Sequence, residues 1–272
     1  MRRTEDIAFA DLDWNGRAVR IEHQWLRPGR SARPLVVFLH EGLGSVSMWR
    51  DFPRAFCEAA DLRGLVYSRP GYGRSTPRAS GERWAPDYMH RQARELLPAL
   101  LRALGVDAPP WLFGHSDGGS IALIFAASFP AAAAGLVVVA PHIFVEESGL
   151  ASIRAARDAY ETTPLRERLA RHHAEVDSAF RGWNEAWLDP AFAASFELGE
   201  LLPRIACPVL AVQGLDDEYG TLEQIRGIAR RVPQAVLLEL PDCGHSPHRD
   251  QPRRLIEEAA RFVQACESSA PG

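Results

Sequence analysis

Residues 111–120 read WLFGHSDGGS, and the chain continues from Ser120 as SIALIFAASF, apolar and free of helix breakers. A short apolar run, a turn bounded by glycine and a long apolar segment give the order strand, turn, helix. Within that stretch Gly114-His115-Ser116-Asp117-Gly118 is G-x-S-x-G, set at the strand-to-helix junction that a nucleophile elbow requires. The tight turn strains the serine backbone and pushes its hydroxyl clear. Glycine two residues before and two after Ser116 avoids side chains where strand and helix nearly touch. Ser116 is therefore the candidate nucleophile.

The same alternation recurs on both sides. Apolar runs stand at Leu35–Leu39, Leu65–Ser68, Trp111–Phe113, Leu136–Ala140, Val209–Gln213 and Val236–Leu240, with helical patterns near 47–60, 87–104, 118–128, 222–231 and 252–265. Continuous β-branched runs alternating with helices predict an α/β fold, a mostly parallel central sheet flanked by helices. Two short strands at 7–12 and 17–25, about Asn15-Gly16, read as a hairpin in front of it. Residues 142–202 break the rhythm, with no strand-like run and with Arg, Ala, Glu, Trp and His at helical spacing between Pro141 and Pro203. This stretch reads as a helical cap inserted over the C-terminal edge of the sheet. The core is then 1–141 plus 203–272. No internal repeat is visible, and the final ESSAPG reads as a frayed tail.

The composition narrows the chemistry. The chain has 272 residues, 46% of them hydrophobic, enough for one large domain with an insertion. Net charge is −4, which leaves no basic field to hold a nucleic-acid backbone. All 31 basic residues are Arg, so Schiff-base, pyridoxal-phosphate and P-loop lysine chemistry is excluded. Cys57, Cys207, Cys243 and Cys266 are far apart and form no C-x-x-C, as expected of buried thiols in a reducing compartment. The N-terminal MRRTEDIAFADLDW has no apolar run behind its arginines, and GLVVVA at 135–140 is of strand length. The reading is a cytoplasmic protein without a membrane segment.

A serine nucleophile needs a base to take its proton, and that base needs an orienting acid. Residues 208–221, PVLAVQGLDDEYGT, run from a strand through Gly214 to Asp216 and Asp217. Residues 240–252, LPDCGHSPHRDQP, run from another strand end to His245. Both stretches fall at strand C-termini, where open α/β sheets gather their sites. Either aspartate would also serve simply to cap a turn before the helix at 222.

With HEGLGS at 40–45, YSRPGYGRS at 67–75, the elbow, the G-x-x-D loop and the G-H-x-P loop, nearly the whole chain resembles the α/β-hydrolase fold serine hydrolases, in the branch of esterases, lactonases and carbon–carbon hydrolases. The resemblance implies a triad of Ser116, Asp217 and His245, with Asp216 as the fallback acid. It also implies an oxyanion hole of two backbone N–H groups. Where the family commonly has His-Gly-x, this chain has His40-Glu41-Gly42. By position Gly42 is one donor, with Glu41 the alternative, and Asp117 is the other. Relatives with an Asp nucleophile, the epoxide hydrolases and haloalkane dehalogenases, are disfavoured by Ser116.

The implied activity is hydrolysis of a small to medium carboxylic ester, with no cofactor and no metal. Lactone, thioester or amide hydrolysis and carbon–carbon cleavage are alternatives on the same triad; a slow-turnover ligand receptor is an alternative of another class. His248 lies three residues from His245, but two histidines in a Gly/Pro-rich loop are weak evidence for zinc. Trp183 and Trp187, four apart, share a helix face and either pack the cap or line a pocket for apolar acyl groups. Glu41 either shapes that pocket or plays a hydrogen-bonded structural part. His172 and His173 are expected at the surface or as lining. Arg69 and Arg74 are expected to be structural, and His115 and the Asp117 side chain are given no proton transfer.

Overall fold

In the computed structural model, residues 7–27, 29–30, 32–79 and 81–269 are described. Hairpin strands β1 (Ala8–Trp14) and β2 (Arg17–Leu26) precede β3 (Leu35–Leu39), β4 (Arg63–Tyr67), β5 (Trp111–His115), β6 (Gly135–Val139), β7 (Val209–Gly214) and β8 (Ala235–Leu240). They form one sheet in the order β1-β2-β4-β3-β5-β6-β7-β8. β2 is antiparallel to both β1 and β4, and every other pairing is parallel.

Strands β3, β5, β6 and β7 are buried along their whole length, which is why they read as unbroken apolar runs rather than alternating ones. Successive side chains still go to opposite faces. Val37, Leu112, Val138 and Ala211 enter one core, while Phe38, Phe113, Val139 and Val212 enter the other. The helices sort accordingly. On the second face lie α1 (Phe52–Ala59) and the long C-terminal helix described below. The first face carries α2 (Tyr88–Arg91), a π-helical turn at Gln92–Leu96, α3 (Leu97–Ala103) and α4 (Asp117–Ser128). α4 is buried from Asp117 to Ala127, so it has no polar stripe.

Between β6 and β7 the chain leaves the sheet for α5 (Glu147–Thr162), α6 (Leu165–Ala170), α7 (Val176–Trp187) and α8 (Pro190–Ser195). An isolated antiparallel bridge, Phe144 to Glu197, ties the two ends of this excursion together. After β7 come α9 (Glu223–Arg231), the short α10 (Pro247–Asp250) and α11 (Pro252–Ser269).

Three expectations need correction. The helix expected over 47–60 is a 3₁₀ turn at Val46–Trp49 followed by α1, because Arg50 adopts φ 54° between them and interrupts the helical ladder. The helix over 87–104 is interrupted by its π turn. The frayed tail begins later than expected: α11 carries Glu267 to Ser269, and residues 270–272 lie outside the described residues. Residues 1–6, the start of the N-terminal stretch, lie outside them as well. No described helix is long and apolar enough to cross a membrane.

Candidate active site

Ser116 stands at the end of β5 as the N-cap of α4, with φ 52° and ψ −119°. That conformation costs an L-residue about 1–3 kcal/mol and is held here by its surroundings. The Ser116 N–H donates to the Val139 carbonyl at 2.9 Å. A Cβ on Gly114 would collide with the Gly118 carbonyl, and one on Gly118 with the Leu39 carbonyl. Only glycine permits the strand β5, the neighbouring strand β3 and helix α4 to converge this closely.

The loops after β7 and β8 come to the same place. The Ser116 hydroxyl lies 3.0 Å from His245 Nε2, and His245 Nδ1 lies 2.8 Å from Asp217 Oδ1. With the Nδ1–H tautomer, His245 donates to Asp217 and accepts from Ser116. Asp217 also accepts from the Tyr219 N–H at 2.9 Å and from Gln213 Nε2 at 3.2 Å. Burial pushes the Asp217 carboxyl up, but His245 and the Tyr219 N–H together hold it below its ordinary value. Asp216, the alternative acid, is exposed beside it, and it is Asp217 that bonds His245 Nδ1. The Tyr219 ring packs on the His245 imidazole, with centroids 4.7 Å apart.

A cavity of about 270 Å³ opens over Ser116 and His245. Its walls include Gly42 and Glu41 from the loop after β3, Met48, Ile153 of α5, and both Trp183 and Trp187 of α7. The two tryptophans therefore pack and line at once: each is buried, and each contributes to the cavity wall. The Trp183 ring lies where a Cβ on Gly42 would stand. Glu41 pairs with Arg249 at 3.3 Å and approaches His115 Nδ1 at 3.7 Å. Burial raises its carboxyl, but His115, His248 and Arg249 outweigh that and hold it well below its ordinary value.

His142 also lines the cavity, its ring 5.0 Å from that of Trp187 and 5.8 Å from that of His245. Burial, reinforced by His245, lowers it to about 3, so it is neutral at ordinary pH. Sequence reasoning had passed it over. His115 is turned away from the proton path: its Nε2–H donates to the His245 carbonyl at 2.7 Å and props the loop that carries His245. His248 is buried and packs against Trp49 with its ring tilted, centroids 5.1 Å apart. Burial lowers it to about 2.

His173 corrects an expectation of a surface or lining position. It is buried, accepts from the Gly73 N–H at 3.0 Å and bonds the Leu43 carbonyl at 2.9 Å, joining the loops after β3 and β4 to the segment before α7. The part least visible in the sequence is a polar network behind Ser116. Arg69 and Asp117, both without solvent exposure, pair at 3.4 Å. Asp117 further accepts from the Tyr88 hydroxyl at 2.8 Å and from Trp187 Nε1 at 3.1 Å. Arg69 is 48 residues from Asp117 and 29 from His40, so no local pattern announces it.

The sequence profile of the alpha/beta hydrolase family matches residues 36–258. The sn-1-specific diacylglycerol lipase ABHD11 of Mus musculus is 26% identical, over 88% of this chain and 83% of its own. The 2-succinyl-6-hydroxy-2,4-cyclohexadiene-1-carboxylate synthase of Enterobacter sp. (strain 638) is also 26% identical, over 88% of this chain and 95% of its own. Among solved structures, the esterase RhEst1 from Rhodococcus sp. ECU1013 superposes with a TM-score of 0.71 at 20% identity, covering 96% of this chain and 99% of that one. The eight-stranded sheet, the helices on its two faces and the profile match over most of the chain agree: this protein belongs to the alpha/beta hydrolase family and is a hydrolase.

Proposed function

We propose that the protein is a serine hydrolase of small to medium carboxylic esters, working through an acyl-enzyme on Ser116, His245 and Asp217. The observation that carries this reading is the unbroken hydrogen-bond chain from Asp217 through His245 to the Ser116 hydroxyl, at 2.8 and 3.0 Å, with that hydroxyl facing a cavity. As the Ser116 oxygen attacks the ester carbonyl, His245 Nε2 takes its proton, and the ionised Asp217 stabilises the resulting imidazolium. The carbonyl oxygen becomes an oxyanion, received by the N–H groups of Gly42 and Asp117. Asp117 is the first residue of α4, where an N–H has no partner within the helix. Each donor aimed at the oxyanion contributes about 3–4 kcal/mol to the barrier lowering. His245 then protonates the leaving alcohol. A water deprotonated by His245 attacks the acyl-enzyme, and the acid leaves.

Residues 142–202 act in this reading as a cap that closes the cavity from above. Trp183 and Trp187 with Ile153 and Met48 supply an apolar wall, suited to an uncharged alkyl or aryl acyl group. Arg249, the cation at the cavity, is already paired with Glu41, which disfavours a polyanionic substrate. The similar proteins are named for lipase, synthase and esterase activities, so the choice of an ester rests on this wall rather than on likeness. Cys57, Cys207, Cys243 and Cys266, with no C-x-x-C pair among them, fit a reducing, cytoplasmic setting.

The test is turnover of p-nitrophenyl esters from acetate to decanoate, with benzoate, by the wild type and by Ser116→Ala. Hydrolysis confined to the wild type is expected. Equal turnover by Ser116→Ala would remove the serine mechanism. Stoichiometric fluorophosphonate labelling without turnover would keep the nucleophile and reject simple esters in favour of a lactone or carbon–carbon substrate.

A further inference from the structure

Arg69 Nη2 donates to the Glu41 carbonyl at 2.8 Å. The same oxygen accepts from His40 Nδ1–H at 2.6 Å and from the Gly44 N–H at 3.1 Å. His40 is held in that tautomer, because its Nε2 accepts the Arg69 N–H at 3.0 Å. The Glu41 carbonyl belongs to the peptide group whose N–H is that of Gly42. A trans peptide is planar and directs its C=O and N–H to opposite sides. Donors that pin the carbonyl toward Arg69 and His40 therefore turn the Gly42 N–H away from them, and Gly42 lines the cavity over Ser116. The guanidinium that makes this bond is also the ion-pair partner of Asp117, the residue carrying the second proposed donor. One completely buried cation thus holds the peptide of the first donor and the side chain of the residue that carries the second.

We infer that Arg69 is a positioning residue for oxyanion stabilisation: it fixes the Glu41–Gly42 peptide and Asp117 relative to each other, and its charge polarises the Glu41–Gly42 amide so that the Gly42 N–H is the stronger donor. The inference rests on the proposed serine mechanism and adds to it a cause for the donors' alignment. Loading a carbonyl with a charged donor strengthens the opposite N–H, and in a dry site the cation also favours negative charge developing on the far side of that peptide. The network reaches the cap as well, through Trp187 Nε1 on Asp117.

The experiment uses the double variant Arg69→Met/Asp117→Asn, which removes both buried charges together and leaves no unpaired ion. It keeps the triad and both donor N–H groups. The readouts are the rate of Ser116 labelling by a fluorophosphonate, the affinity for a trifluoromethyl ketone that forms an oxyanion, and the affinity for a matching alkyl ether that forms none. With folding verified by thermal denaturation, labelling rate and ketone affinity should fall about 10- to 100-fold, below the full loss of a donor, while ether affinity stays within about twofold. A role confined to packing would move ketone and ether alike, and either that result or an unimpaired labelling rate overturns the inference. If the double variant does not fold, Arg69→Lys keeps the charge and loses the fork. It should lower kcat several-fold with KM unchanged, and wild-type kinetics would overturn the inference. A wild type that never labels at Ser116 rejects the serine reading itself, and this inference with it; labelled wild type beside an unimpaired variant rejects only the part given to Arg69.

Discussion

Every residue from Trp111 to Ala127 is buried, whereas α5, across the cavity, buries only Gly149, Ile153 and Tyr160 of its 16 residues. Both regions meet the same cavity. At the junction of β5 and α4 it is backbone that approaches backbone, so Gly114 and Gly118 admit no side chain and Ser116 is forced to positive φ. Trp183 and Trp187 of α7 reach the same cavity through side chains, the Trp183 ring over Gly42 and Trp187 Nε1 on Asp117. Backbone contact leaves almost no freedom and suits the invariant geometry of bond cleavage. Side-chain contact tolerates change of size and suits selection among substrates. In the proposed mechanism the first region governs rate and the second substrate preference.

The sharpest way to break that division is at the acid. Asp217→Asn should lower kcat by about 10⁴-fold for every ester alike, because the imidazole loses its orienting charge, while the exposed Asp216→Asn stays near wild type. Steady-state kinetics on both variants decide it, and the reverse order would move the acid by one residue. Gly118→Ala should destabilise the fold by about 3 kcal/mol or more, since its Cβ meets the Leu39 backbone, which cannot swing aside. A urea midpoint equal to wild type would mean that the junction is looser than the geometry requires.

A third effect concerns pH. Buried His142 has its pKa lowered to about 3 from the ordinary 6.5, so below 6.5 the unfolded chain binds a proton that the folded chain refuses. The stability tied to its neutral form is complete above about pH 6.5 and is lost as pH falls toward 3, at about 1.4 kcal/mol per pH unit. His142→Asn should flatten the dependence of unfolding free energy on pH by that slope between pH 6 and 4, read by urea denaturation. An unchanged slope would show that His142 takes its proton in the folded state.

The smallest effects are expected in the helical segment. Trp183→Ala should move the preferred p-nitrophenyl ester to longer acyl chains with little change in kcat on the best substrate. A uniform loss at all chain lengths would merge the two regions into one. Trp187→Phe keeps the wall and removes only the hydrogen bond to Asp117, a change of about 1 kcal/mol or roughly fivefold in kcat/KM.

Much of the architecture was legible because it is written in local periodicity. The apolar runs at 35–39, 111–113 and 209–213 are strands because both their faces are covered, and their boundaries shift by no more than two residues in the structure. Arg50 escaped that reading, since a single left-handed residue changes no hydrophobic pattern. At the site, Ser116, the Asp216-Asp217 pair and His245 stood out because each follows a strand end in a turn of recognisable chemistry; the preference for Asp217 came from the family resemblance. His142, His173 and Arg69 did not, for their partners are distant in sequence: His173 bonds a carbonyl 130 residues away.

By itself, then, the order of residues specified the alternation of strands and helices, the strained serine turn and the absence of any lysine chemistry, because these depend on neighbours within a few positions or on composition alone. Only the tertiary structure decided that Arg69 and Asp117 share a dry core behind the serine, that Glu41 faces Arg249, and that Trp187 belongs both to the cavity wall and to that network. The first relation arises when sheet order β4-β3-β5 sets the ends of those three strands side by side; the others need the loop after β8 and helix α7 to fold back over them. Excluding water there leaves a buried charge only the partners that the fold brings to it.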